Sequence, residues 1–137
     1  MTDAEFLRAL ELCTLPESAF SHQAHVRAAY LCLQHTDFPT ALQRMVILLR
    51  RYILALGKPE RYHETKTVAF MALIHRAIVE RGDGGGWFGF AQRNPDLLDP
   101  HLLLHLYTRG ELETPLARRT FLLPNPAFGH TVQYPVR

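Results

Sequence analysis

Apolar residues in this chain recur at intervals of three and four, and no segment of five or more residues alternates convincingly between apolar and polar. That period belongs to helices buried along one face, and the missing two-residue period leaves no stretch with the signature of a half-buried strand. Proline and glycine divide the periodic stretches, so the expected fold class is all-α: a compact single-domain bundle of four main helices plus one or two short helices. Four of the nine prolines fall after Tyr107, which predicts an irregular proline-rich C-terminal strap.

Each helix can be placed from its own end signals. Phe6, Leu7, Leu10 and Cys13 share one face of a first helix from Thr2 or Asp3 to about Cys13, and Leu15-Pro16 ends it. Ser21 caps a second helix from His22 to about Gln34, whose inward stripe is His22, His25, Ala29, Cys32 and Leu33. Asp37 followed by Phe38-Pro39 opens a third helix that runs to about Leu56 and closes on Gly57; its expected core face is Leu42, Met45, Leu49, Tyr52, Ile53 and Leu56. A fourth helix starts between Pro59 and Thr65 and ends at Arg81, with His63, Thr67, Phe70, Met71, Ile74, Ala77 and Ile78 along one face. Gly82-Asp83-Gly84-Gly85-Gly86 lacks the Lys-Ser/Thr of a phosphate-binding loop and reads as a hinge or linker. A short segment from Trp87 to Arg93 follows, and Asp99-Pro100 opens a helix of about two turns through Tyr107.

Composition narrows the function classes. At 137 residues, one helical domain spanning 1–137 buries enough surface to hold together without a disulfide or structural metal. Fifteen Lys plus Arg against thirteen Asp plus Glu gives a net charge of +2, too weak a field for a polyanion partner, so no nucleic acid is expected. Neither a basic, apolar leader nor a membrane-length apolar window is present, and the two cysteines fit no disulfide or zinc pattern. A cytoplasmic protein with no membrane partner is therefore expected, with Cys32 as a small core residue.

Eight histidines are the composition figure that stands out, and their positions carry the functional argument. His22 and His25, at i and i+3, head one inward stripe; His63 heads another, followed by Glu64, Thr65 and Thr67. A buried imidazole needs a partner for its ring nitrogens, so three of them imply mutual satisfaction or a shared guest. Three readings follow. In the first, His22, His25 and His63 bind one divalent transition metal, zinc, iron or similar, with Glu64 as general base in a metal-dependent enzyme acting on a small molecule. In the second, the two helix starts, Arg27, the histidines and the hydroxyls of Thr65 and Thr67, with Tyr62 in the same pocket, enclose a small anionic or polar ligand without metal, since helix N-termini repel cations and attract anions. In the third, the histidines and Tyr62 form a buried hydrogen-bond network, with Arg27 and Glu64 as an ion pair and exposed Trp87, Phe88 and Phe90 docking a protein partner. His35, His75, His101 and His105 read as surface residues, and His130 has no assignable role.

The set Phe20-x-His22-x-x-His25-Val26-Arg27, Tyr62-His63-Glu64-Thr65-x-Thr67, Asn94-Pro95-x-Leu97-Leu98 and Ala117-Arg118-Arg119 with Phe121 and Pro124 resembles a family of small bacterial all-helical proteins of unassigned function. The resemblance spans about Cys13 to Pro124 and implies a shared fold and a shared pocket, with no catalytic assignment. Lys66 departs from the pattern, standing between the two threonines where an apolar residue is expected.

Overall fold

The computed structural model describes residues 1–124; the remainder of the expected strap, including His130, lies outside the described residues. Among those described, every regular element is helical, with no strand, and no helix is long and apolar enough to cross a membrane. Seven α-helices follow in chain order: α1 (Asp3–Glu11), α2 (His22–Cys32), α3 (Phe38–Ala55), α4 (Glu64–Arg81), α5 (Trp87–Arg93), α6 (Arg109–Leu112) and α7 (Pro115–Arg119).

Side-chain caps start the helices where the residue types suggest. Thr2 and Glu5 form a reciprocal capping box on α1, and Ser21 and Asp37 accept from the amides of Ala24 and Thr40 to open α2 and α3. A second capping box, Thr108 with Glu111, starts α6, and Thr114 caps α7. Within the stretch expected to be irregular after Tyr107, residues 109–119 instead carry these two short helices, each begun by a hydroxyl that accepts from an amide three residues on and held by packing. The reverse holds for Asp99-Pro100, where Leu102–His105 forms a tight 3-10 turn instead of two α-helical turns. That turn brings Leu103 and Tyr107 into a small apolar cluster with Ala69 and Leu112.

The main core lies among α1, α2, α3, α4 and α5. The three best-buried tyrosines are Tyr30 and Tyr52 in this core and Tyr107 in the smaller cluster, and each hydroxyl donates to a backbone carbonyl in a non-helical segment. Tyr30 reaches Asp83 O at 2.8 Å, Tyr52 reaches Leu15 O at 2.7 Å, and Tyr107 reaches Leu122 O at 2.7 Å. The ring stabilises the core while the hydroxyl fixes a loop that has no ladder of its own. Buried Asn94 serves similarly, donating to Phe90 O and accepting from Arg81 at 2.6 Å.

Two expectations change here. Phe90 is fully buried and Trp87 packs beside Tyr30, so only Phe88, 75% exposed, remains of the expected aromatic docking patch. One turn of a helix cannot show one face to solvent and one to the core with all three rings outside. The glycine segment is also more than a linker: Gly84, at φ +74°, lies so close to α5 that an added Cβ would sit 2.3 Å from Phe90 N.

Gly57 has the same φ, +74°, but open space around its Cα, which makes a matched pair. Gly57→Ala should cost about 1 kcal/mol from the left-handed conformation alone. Gly84→Ala adds a backbone collision and should cost at least about 1 kcal/mol more in urea unfolding. Equal losses would mean that the Gly84–α5 contact is not formed in solution.

Candidate functional site

The first turns of α2 and α4 and the inner face of α3 enclose a cavity of about 320 Å³. Its floor is apolar: Val26 and Ala29 from α2, Met45, Leu49 and Ile53 from α3, and Phe70, Met71 and Ile74 from α4. The polar lining comes from the helix starts: His22 and His25 from α2, and Arg61, Tyr62, His63, Lys66 and Thr67 from the chain that opens α4. Arg61 and Lys66 are exposed as well as lining, which puts them at the mouth.

His63 is the N-cap of α4, and its ring is fully engaged. Nδ1 accepts from the Lys66 amide at 3.1 Å, which leaves the proton on Nε2, and that N–H donates to Leu112 O at 2.6 Å. Its own carbonyl accepts from the amide and the hydroxyl of Thr67, the latter at 2.8 Å. Burial, ahead of the nearby cations Lys66 and Arg118, holds its pKa below the ordinary value. His63 therefore presents an edge to the cavity but no free ring nitrogen.

The other two histidines differ from it and from each other. His22 donates through Nε2 to Leu97 O at 3.0 Å and packs its ring edge-on against Phe70. His25 stacks on Phe20 with ring centroids 3.8 Å apart, and none of the described residues hydrogen-bonds its ring. Burial, with a smaller contribution from His22 nearby, lowers its pKa to about 4. At neutral pH His25 is an uncharged imidazole on the cavity wall, with both donor and acceptor capacity.

The remaining expected site residues divide between cavity and exterior. Tyr62 lines the cavity, and its hydroxyl donates to Glu64 Oε1 at 2.6 Å under the Arg50 guanidinium. Burial first, and that hydrogen bond second, push its pKa up to about 12. Glu64 does not line the cavity; it is held by Tyr62 and, at 3.9 Å, by Arg50. Thr67 lines the wall with its hydroxyl turned back to His63 O. Arg27 points away from the site and pairs with Asp3 at 2.7 Å over the Phe6 ring, so the expected Arg27–Glu64 pair is not formed. Thr65 faces the far side of α4, where its hydroxyl donates to Thr120 O at 2.8 Å and accepts from Leu122 N at 3.0 Å.

Helical spacing placed Arg27 and Thr65 on the same turns as the histidines but could not say which neighbouring segment each faces. Lys66 and Arg61 were missed as lining residues; the only signal in the sequence was the departure of Lys66 from an otherwise apolar position. Among the described residues, no group of three or more His, Cys, Asp or Glu side chains is arranged to hold a metal ion. Cys32 is buried, with its thiol pushed up to about 11 by desolvation, which suits a core residue and not a nucleophile. The chain matches no protein-family model, no curated protein and no solved structure.

The His25 environment fixes a sign for pH dependence. Its folded pKa lies below the ordinary 6.5, so its contribution to stability is complete above pH 6.5 and is lost as pH falls toward 4. The loss from this residue is at most on the order of 3 kcal/mol. In urea unfolding at successive pH values, His25→Phe, which keeps an aromatic ring against Phe20, should fall less steeply than the parent over that window. Identical slopes would place His25 in solvent.

Proposed function

We propose that this protein binds a small, largely apolar molecule in the cavity among α2, α3 and α4, without a metal ion, using the polar groups of the helix starts to orient it. The observation that carries this reading is the lining of the cavity: a space of about 320 Å³ with an apolar floor and a small set of polar groups contributed by the helix starts, two of them at the mouth. Small-molecule sites commonly have this form, with a few fixed polar groups selecting the orientation and apolar walls supplying most of the affinity. A water molecule takes up about 30 Å³ in the liquid, so the space suits a ligand of roughly ten non-hydrogen atoms.

The state of the imidazoles favours this reading over the metal-dependent enzyme. A metal needs a lone pair from each ligand, and both nitrogens of His63 are already engaged with backbone. Glu64, the expected general base, is tied to Tyr62 and Arg50 and does not line the cavity. His25 remains as the polar group best placed to meet a ligand, since an uncharged imidazole can donate to or accept from it at neutral pH.

Native mass spectrometry and thermal shift with a collection of small molecules test the proposal, using Ile53→Trp to fill the cavity from its wall. The parent should gain melting temperature with apolar molecules of this size, and Ile53→Trp, while still folded by circular dichroism, should gain none. Elemental analysis of protein purified without chelators provides the opposing outcome. Near one equivalent of a transition metal, lost together in His22→Ala and His25→Ala, would overturn the metal-free reading in favour of the enzyme.

A further inference from the structure

The charge at the cavity mouth identifies a ligand class, an inference that rests on the proposed cavity binding. Among the described residues no Asp or Glu lines the cavity, while two cationic side chains, Arg61 and Lys66, do. Arg61 is engaged with Glu17 at 2.7 Å. Lys66 has no carboxylate within salt-bridge distance among the described residues. Its surroundings add positive charge: Arg118 and Arg109 lie near enough to disfavour its protonation, against a single opposing Glu113. Partial burial acts in the same direction and is the larger effect.

A lysine in this position is costly unless something compensates it. Lys66 faces two like charges, Arg118 and Arg109, against one carboxylate, Glu113, and the first turns of α2 and α4 add the positive ends of two helix dipoles. An anion at the mouth would relieve all of these at once, while a cation would meet repulsion from each. The polar wall groups His22, His25 and Tyr62 contribute no compensating negative charge.

We infer that the cavity takes an amphipathic anion, with its acidic head at Lys66 at the mouth and an aliphatic body lying on Met45, Leu49, Met71 and Ile74. A straight-chain carboxylate of about ten non-hydrogen atoms matches the space.

Calorimetric titration with octanoate, 1-octanol and octylamine tests this, since the three share a body and differ in head-group charge. Octanoate should bind about tenfold tighter than 1-octanol, octylamine should bind weakest, and added salt should reduce the octanoate advantage. Lys66→Gln should remove most of the preference, weakening octanoate far more than 1-octanol. Equal binding of octanoate and 1-octanol, or an octanoate preference that survives Lys66→Gln, would overturn the charge inference while leaving the cavity reading standing. Absence of binding by all three would overturn both.

Discussion

The site depends on how one buried imidazole is satisfied. His63 accepts a backbone N–H from the first turn of its own helix and donates to a carbonyl at the end of α6, 49 residues on. Burying this ring without both partners would cost a lost hydrogen bond at each nitrogen, about 1–3 kcal/mol apiece. The two bonds fix one tautomer, cap α4 and hold the chain after Tyr107 against it. Thr65 continues the same seam, bonding to both Thr120 and Leu122 from two positions further on. The start of α4 is thus clamped on one side by backbone, which leaves its other side free to form a cavity wall.

That division explains why three histidines that look equivalent in sequence behave differently. His63 is consumed by structure; His22 donates one nitrogen to Leu97 O and so joins the turn after α5 to α2; His25 meets only the Phe20 ring and the cavity. Elsewhere in the molecule, Tyr30, Tyr52 and Tyr107 show the same economy, each using its hydroxyl to fix a segment that lacks regular structure, while buried Asn94 ties the end of α4 to α5. Against this pattern of satisfied groups, an imidazole with no hydrogen-bond partner and a lysine with no carboxylate at salt-bridge distance among the described residues, both on one cavity, are the exceptions that bear on function.

The helical class was legible because caps and spacing act locally. Thr2, Ser21 and Asp37 each cap the helix that the sequence assigns to them. Within α4 the reading was partial, since a single apolar stripe was expected and the helix buries two sides. Met71, Ile74 and Ala77 face the main core, while Thr65 and Ala69 face the chain beyond Leu103. The identity of a partner 24 or 49 residues away, Asp3 for Arg27 or Leu112 for His63, leaves no trace in local periodicity. The close approach of Gly84 to α5 is similar, because a glycine run has the same composition whether it swings free or packs.

The account turns on His63 being occupied by backbone while His25 is not, and nitrogen-15 NMR of the histidine rings reads this directly. At neutral pH the His63 ring should appear as the Nε2–H tautomer, with a slowly exchanging proton and shifts unmoved by added zinc. His25 should appear neutral down to about pH 4 and shift when a cavity ligand is added. A His63 ring protonated on Nδ1, or one whose resonances move with zinc in step with those of His22 and His25, would contradict the account and restore the three-histidine metal site.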